Sequence, residues 1–188
     1  MFLTVSKTKF LLRDDTIKRL FQKAGIGGVT SIAPLGAGEY NAIYEVAADR
    51  PYVLKVAPDD DIPVLTYERE MIKSEVYWYS QMRDKTNIRV PEIYYSDFSR
   101  ELIPAGWFIM EKMEGKQRNE FKMSRDEKKQ KEYRTAEMVS KMHRVHNDKF
   151  GYIQNELYGN WHLALCSIIK NLIADCERKG KTTKRGDR

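Results

Sequence analysis

The chain has little cysteine and histidine, and it has no long apolar run. Two cysteines among 188 residues are too few for the disulfide framework of a small secreted domain. Cys166 and Cys176 share one predicted helix, where their separation of about 15 Å excludes a local disulfide. No segment approaches the roughly eighteen apolar residues of a membrane span, and residues 1–10 lack the order of a secretion signal. We therefore expect a cytoplasmic protein with two buried, reduced thiols.

The sequence also lacks a set of metal ligands. His143 and His146 lie three residues apart on a predicted helix, a spacing that suits zinc only when a third ligand is near. No other His, Cys or Asp lies at a useful spacing from this pair. The sequence therefore predicts no metal site.

The net charge of +6 is concentrated at one end of the chain. Residues 178–188 hold six Lys or Arg and one Asp, which leaves about +1 for everything before them. A short basic tail that contains glycine is usually a solvated, mobile terminus. We therefore expect neither nucleic acid nor a membrane as a partner.

Hydrophobic periodicity predicts an α+β fold. Helical spacing places Ile17, Leu20 and Phe21 on one face of a helix that Asp14 caps. Short alternating runs follow, separated by turn residues in the manner of an antiparallel meander. An antiparallel sheet that carries a helix, followed by helices alone, is an α+β arrangement. The predicted elements are a helix at residues 15–23, strands at 29–35, 42–47 and 52–57, a helix at 64–82, strands at 92–96 and 107–110, and helices at 124–146 and 160–176.

The two parts of this arrangement are predicted to meet just after the last strand. We assign residues 1–113 to a first lobe that contains the sheet, 114–177 to part of a helical lobe, and 178–188 to the basic tail. The first half of helix 124–146 is charged and is predicted to face solvent, whereas its second half, with Val139 and Met142, is predicted to be buried. Helix 160–176 is apolar on every face, so we expect exposed apolar surface or a dimer that covers it.

A glycine-rich turn lies between the first two predicted strands. Residues 35–46 read LGAGEYNAIYEV, with Gly36, Gly38 and Asn41 in the turn. Glycines there let main-chain N–H groups approach a phosphate chain without interference from Cβ atoms. Because no Gly-Lys-Ser/Thr follows and no helix starts there, the turn is neither a Walker loop nor a dinucleotide-binding turn. Taken alone, such a turn is more often a hairpin without a ligand.

Lys55 lies in an apolar strand, one strand after the glycine-rich turn. A lysine in such a strand is often an edge residue whose ammonium reaches water. A kinase lysine instead pairs with nucleotide phosphates and with a glutamate of the following helix. That helix offers Glu68, Glu70 and Glu75. We favour Glu75, which shares the inward face with Trp78, and keep Glu70, which lies about 140° around the helix, as the alternative.

An apolar strand that breaks into polar residues suits a hinge between the two lobes. Residues 107–115 read WFIMEKMEG, an apolar run followed by charges and a glycine. Met110 ends the apolar run, and the main-chain groups of Glu111 and Met113 are placed to hydrogen-bond an adenine edge. Taken alone, the stretch is a strand and a turn.

In this order, the glycine turn, the lysine, the glutamate and the hinge resemble those of aminoglycoside phosphotransferases, a kinase-like family. Asn41 stands where that family tends to have Asn and protein kinases have a third loop glycine. Residues 136–143, then 150–152 and Trp161, are similar to a helix of the family and the residues after it. The resemblance implies a kinase-like first lobe, ATP or GTP as cofactor with Mg²⁺ in the complete family member, and phosphate transfer to a small-molecule hydroxyl. It implies nucleotide contacts from Gly36, Gly38, Asn41, Lys55, Glu75, Met110, Glu111 and Met113.

The catalytic residues of that family have no counterpart in this sequence. The family's loop reads His-Gly-Asp with an Asn five residues after the Asp, and a later Asp completes the metal ligands. Here only Gly186 and Asp187 offer a Gly-Asp pair, and the His is absent. We identify no catalytic residue and expect a chain truncated before the catalytic loop and inactive alone. A non-catalytic nucleotide-binding or protein-interaction module is the alternative.

Overall fold

The computed structural model describes residues 9–36, 40–115 and 121–180. These residues form an antiparallel sheet with helices before, between and after its strands, which confirms the predicted α+β class. Most of the basic tail, with Asp187, lies outside the described residues. The elements are α1 (Asp14–Lys23), β1 (Ser31–Pro34), β2 (Ala42–Ala47), β3 (Pro51–Val56), a 3₁₀ turn (Thr66–Glu68), α2 (Met71–Lys85), β4 (Ile93–Asp97), β5 (Trp107–Glu111), α3 (Arg125–Met142) and α4 (Trp161–Arg178).

The five strands form one sheet in the order β1-β2-β3-β5-β4, and all neighbours are antiparallel. The first three strands are the predicted meander, whereas β5 pairs with β3 and leaves β4 at the edge. On its β5 side, β3 is paired from Tyr52, opposite Glu111, to Val56, opposite Trp107. A strand paired on both edges has a well-defined register. Alternation along β3 therefore decides which face each of its side chains occupies.

One face of the sheet packs against α1. Ile17, Leu20 and Phe21 have no exposed surface, which confirms the predicted face of this helix. The Phe21 ring meets the Tyr52 ring edge-on, with centroids 5.7 Å apart. The buried cluster to which α1 and the sheet contribute contains Ile17, Leu20, Phe21, Ala42, Tyr44, Val46, Tyr52, Leu54, Val56, Ile103, Ala105, Trp107 and Ile109.

Helix α1 begins differently from the prediction. Arg13, not Asp14, occupies the N-cap position, and no side chain caps the helix. Asp14 and Asp15 lie instead in the first turn, where carboxylates complement the helix dipole. The main-chain N–H of Leu12 donates to the Tyr44 hydroxyl at 2.7 Å. This bond ties the segment before the helix to the sheet.

The helix predicted at residues 64–82 is two separate elements. Thr66–Glu68 form the 3₁₀ turn, and Glu70 has a φ of 58° before α2 begins at Met71. The Glu68 carboxylate accepts the Leu65 N–H at 2.7 Å, which closes the turn locally. The left-handed conformation of Glu70 then interrupts any continuous helix. The apolar residues keep a helical spacing on both sides of Glu70, so the sequence pattern did not predict this break.

Helices α3 and α4 start close to their predicted positions, and each has a polar cap. The Ser124 hydroxyl accepts the Glu127 N–H, and the Glu127 carboxylate accepts the Ser124 N–H in return. The Asn160 side chain accepts the Leu163 N–H at 3.0 Å. These contacts satisfy donors that the first turn of a helix leaves without partners.

The predicted burial of the second half of α3 is wrong. Val139 and Met142 are 40% and 45% exposed, because the described residues pack little against this face. The charged first half faces solvent as predicted. On α4, Cys166 and Cys176 are free thiols, but their predicted burial is wrong, because Cys176 is exposed and Cys166 is only partly buried. Among the described residues, no helix has both the length and the apolar character needed to cross a membrane.

Shortening a buried side chain of α1 should destabilise the first lobe. Leu20→Ala removes atoms from the core shared with the sheet, so we expect the free energy of unfolding to fall by about 2–5 kcal/mol. Urea unfolding monitored by tryptophan fluorescence measures this free energy, since Trp107 lies in the same core. Lys18→Ala changes an exposed residue of the same helix and should alter stability by less than about 0.5 kcal/mol. Equal stability of the two variants would show that α1 is not part of the core.

Candidate functional site

The face of the sheet opposite α1 carries the lysine that the sequence singles out. Val53 and Lys55 alternate with the core residues of β3, and they lie opposite Met110 and Phe108 of β5. Helix α2 covers part of this face, because the Tyr79 ring meets the Phe108 ring with centroids 6.4 Å apart. The register therefore places Lys55 and Met110 on one surface beside α2.

Lys55 and Glu75 form an ion pair between β3 and α2. The Lys55 ammonium lies 2.6 Å from each carboxylate oxygen of Glu75, and the two side chains are 16% and 26% exposed. The Tyr79 hydroxyl donates to the same carboxylate at 3.4 Å. Burial and then the charge of Glu75 raise the pKa of Tyr79 to about 12, so this hydroxyl remains a donor. The pair holds the lysine extended and partly shielded from water.

Glu70, the alternative partner of the lysine, is engaged elsewhere. Its carboxylate contacts Arg100 and lies 2.8 Å from Lys73. Arg100 also pairs with Asp60 at 2.8 Å, so Glu70 belongs to a separate group of charges before α2. The structure thus answers the choice between the two glutamates in favour of Glu75. A role of Glu75 in nucleotide binding stays a prediction.

The glycine-rich turn is described at its two ends. Gly36 has a φ of 77°, a left-handed conformation that favours glycine, while Gly38 lies outside the described residues. At the other end, the side-chain oxygen of Asn41 is buried, and no described residue donates a hydrogen bond to it. Because an unpaired buried acceptor is costly, a ligand or water that donates to this oxygen would be stabilising.

The predicted hinge follows β5, and some of its groups already have partners. The main-chain N–H of Glu111 donates to the Glu92 carbonyl at 2.8 Å. Any contact of the Glu111 main chain with a ligand therefore has to come from its carbonyl. Lys112 pairs with Glu45 of β2, which ties the hinge to the sheet. Met113 is exposed at the end of this segment.

Sequence reasoning missed the role of Tyr40 in the glycine-rich turn. Its hydroxyl donates to the Glu68 carbonyl at 2.8 Å, and burial and then the charge of Glu68 raise its pKa to about 12. A cavity of about 360 Å³ opens beside this contact and reaches Arg100. Its lining does not include Lys55 or Met113, so it is separate from the predicted site. The only signal in the sequence was one aromatic residue in a turn of small and polar ones.

The residues that the structure describes offer no metal centre. They contain no group of three or more His, Cys, Asp or Glu side chains that could hold a metal ion. The Mg²⁺ that the resemblance implies for complete family members needs carboxylate and amide oxygens beside the phosphates. The described residues therefore do not fit a Mg²⁺ site.

Comparison with known proteins gives one family. The sequence model of the phosphotransferase enzyme family matches residues 31–165. No curated protein matches the chain. Nine chains of solved structures match it, among them a putative aminoglycoside phosphotransferase from Ralstonia eutropha JMP134, at 15% identity and a TM-score of 0.42. That match covers 55% of this chain and 29% of the other, so it spans less than a third of that protein's length.

The pairing of Lys55 with Glu75 should appear as a coupling in stability. In a double-mutant cycle with Lys55→Ala and Glu75→Ala, we expect a coupling free energy of about 1 kcal/mol. A parallel cycle of Lys55→Ala with Glu70→Ala should show no measurable coupling, because Glu70 contacts Arg100 instead. Urea unfolding of the three single and two double variants measures both values. A larger coupling with Glu70 would contradict the observed pairing.

Proposed function

Because the chain belongs to the phosphotransferase enzyme family, we propose that it forms the nucleotide-binding part of an enzyme that transfers phosphate from ATP or GTP to a small-molecule hydroxyl. The observation that carries this proposal is the Lys55–Glu75 pair. The pair lies on the sheet face opposite α1 and joins β3 to α2. Strand β3 lies between β2, which follows the glycine-rich turn, and β5, which leads into the predicted hinge.

Lys55 is suited to hold the phosphates of a nucleotide. An ammonium that is partly shielded from water attracts a phosphate oxygen more strongly than a fully hydrated one does. Glu75 keeps the lysine side chain extended, so less conformational freedom is lost when a phosphate binds. Since the Tyr79 hydroxyl also donates to Glu75, this carboxylate keeps a donor when Lys55 turns toward a ligand.

The other predicted contacts complete a site with a polar and an apolar end. The left-handed backbone of Gly36 suits a turn whose N–H groups face an anion, and Asn41 adds a side-chain amide. At the hinge, Met110 and Met113 would flank a flat base with polarisable thioethers. A nucleotide has charged phosphates at one end and an aromatic base at the other, which matches these two ends of the site. We therefore propose Gly36, Gly38, Asn41, Lys55, Glu75, Met110, Glu111 and Met113 as its contacts.

We propose that these residues bind nucleotide but do not transfer phosphate by themselves. Transfer requires a group that positions the acceptor hydroxyl and cations that balance the phosphate charge, and this sequence contains no His-Gly-Asp. The same observation favours a second candidate, a nucleotide-binding or protein-interaction module without chemistry. Mass spectrometry of the protein from its natural source separates the two. A longer species that contains His-Gly-Asp supports the enzyme, and a species of 188 residues supports the module.

Removing the charge of Lys55 should weaken nucleotide binding more than folding. We expect the native chain to bind ATP or GTP only in the millimolar range, because the described residues offer no ligand set for the Mg²⁺ that bridges the phosphates. Lys55→Ala should weaken this binding about tenfold and lower the free energy of unfolding by no more than about 1 kcal/mol. Titration calorimetry and urea unfolding measure the two effects. Lys18→Ala removes an equal charge on the opposite side of the sheet and should leave affinity unchanged.

Two results would contradict this site. Absence of any binding heat at millimolar nucleotide would remove the basis for the assignment. A Lys55→Ala chain that unfolds readily while its affinity is unchanged would make Lys55 a structural residue.

Apolar side chains on α3 and α4 should make the chain associate with a second copy. Exposed apolar patches favour association, so sedimentation velocity should show a dimer that forms with rising concentration. Ile169→Lys combined with Ile173→Lys, one turn apart on α4, should restore the monomer, whereas Lys170→Gln, a control on the same helix, should still dimerise. A monomer that binds no apolar dye would contradict this. The exposed large apolar residues of these two helices are Tyr133, Met138, Val139, Met142, Trp161, Leu163, Leu165, Ile169, Leu172 and Ile173.

A further inference from the structure

Helix α4 carries a buried carboxylate, Asp175, that the proposed binding site does not use. Asp175 is 1% exposed. One of its oxygens accepts the Thr66 main-chain N–H and the other accepts the Thr66 hydroxyl, both at 2.7 Å. The guanidinium of Arg178 donates to it at 2.7 Å. Burial alone would raise the pKa of Asp175, but the Thr66 donors and the charge of Arg178 hold it below its ordinary value, so the carboxylate is ionised at neutral pH.

Other contacts from the second part of the chain reach the same segment, residues 64–68. The Gln154 amide donates to the Tyr67 carbonyl at 2.8 Å, and Arg178 donates to the Val64 carbonyl at 3.0 Å. The ring of Tyr152 lies against the ring of Tyr67, with centroids 5.9 Å apart. A short 3₁₀ turn has few internal hydrogen bonds of its own. These contacts therefore decide where the segment lies.

The glycine-rich turn is attached to this same segment. The Tyr40 hydroxyl donates to the Glu68 carbonyl at 2.8 Å. The Glu68 carboxylate accepts the Leu65 N–H. The Glu68 carbonyl therefore belongs to a turn that is stabilised by its own hydrogen bond. Tyr40 directly precedes Asn41, at the end of the glycine-rich turn where β2 begins at Ala42. The hydroxyl bond thus anchors one end of the glycine-rich turn.

We infer that Asp175 is a positioning residue for Tyr40 and Asn41, the described end of the glycine-rich turn, acting through Thr66 and the 64–68 segment. The inference rests on the proposed function, in which that turn holds the nucleotide phosphates. A carboxylate that accepts both the main-chain and the side-chain donor of one residue constrains the orientation of that residue as well as its position. Helix α4 is in this way connected to the turn by hydrogen bonds and a short stretch of backbone.

This connection lowers the cost of binding a phosphate chain. A turn that is already held in place loses less conformational entropy when a ligand orders it. Loosening the connection at Asp175 therefore speeds local opening of the backbone at Tyr40 and Asn41 and weakens nucleotide binding. A carboxylate with only a structural role would lower the stability of its own surroundings and leave the turn unchanged.

The first experiment measures the turn without any nucleotide. Asp175→Asn keeps the size of the side chain but removes its charge, and its single oxygen can accept only one of the two Thr66 donors. Amide hydrogen exchange of peptides within residues 40–46 should become about threefold faster in this variant, with peptides of α1 as an internal reference. Glu177→Gln, an exposed change on the same helix, should leave exchange unchanged. Thr66→Ser, which keeps both donors, should also leave it unchanged.

The second experiment approaches the connection from its other end. Tyr40→Phe removes only the hydroxyl that bonds the Glu68 carbonyl, and it should speed exchange in the same peptides. In titrations with ATP, Asp175→Asn and Tyr40→Phe should each weaken binding about fivefold. The double variant should lose no more than either single variant, because both changes break one connection. Should Asp175→Asn fail to fold, Thr66→Val, which removes the hydroxyl contact alone, carries the same expectations.

The outcomes separate this inference from the proposed function. Unchanged exchange in residues 40–46 for Asp175→Asn, or for Thr66→Val where Asp175→Asn does not fold, overturns the inference, whatever ATP does. Additive losses of ATP affinity in the double variant also overturn it, because the two residues would then act independently. If the native chain binds no ATP while exchange responds as expected, the proposed function fails and the positioning of the turn by Asp175 stands.

Discussion

The ion pair between Lys55 and Glu75 joins the central strand of the sheet to the helix that packs on it. Because β3 is hydrogen-bonded on both sides, Lys55 cannot change faces without a shift in the register of the sheet. The apolar face of the sheet is already occupied by α1, so the lysine has to lie on the side of α2. There the Glu75 carboxylate accepts from the lysine, and the Tyr79 hydroxyl donates to the same carboxylate. The glycine-rich turn and the hinge are connected to strands in the same register, so their positions depend on this arrangement.

Buried carboxylates join parts of the chain that are far apart in sequence. Asp97 of β4 lies 2.6 Å from the Lys23 ammonium of α1, and Asp175 of α4 accepts both donors of Thr66. In each case burial opposes the charge, and the donors around the carboxylate more than offset it, so the pKa of each acid lies below its ordinary value. Removing a partner from such a group is costly, whereas the intact pair adds little net stability. These acids therefore specify which elements meet.

Patterns along the chain predicted the features that depend on local physics. Alternation located β2 and β3 to within one residue, and helical spacing identified the buried face of α1 from Ile17, Leu20 and Phe21. The choice of Glu75 over Glu70 agrees with the observed pairing, although Trp78, with which Glu75 was predicted to share a buried face, is 39% exposed. Prediction failed where a contact from another element overrode the local pattern. The helix predicted at residues 64–82 is broken at Glu70, whose carboxylate contacts Arg100, and no spacing within 64–82 records that contact.

The sequence by itself determined the α+β order of elements, the match to the phosphotransferase enzyme family, and the absence of a His-Gly-Asp loop. Only the tertiary structure decided that Glu70 belongs to a different group of charges, that Tyr40 bonds the Glu68 carbonyl, and that Asp175 meets Thr66 across 109 residues of sequence. Helix and strand periods are local, so they can be read along the chain. A hydrogen bond between residues that are distant in sequence depends on how whole elements pack. Packing brings such residues together at no regular sequence interval, so no pattern along the chain predicts the bond.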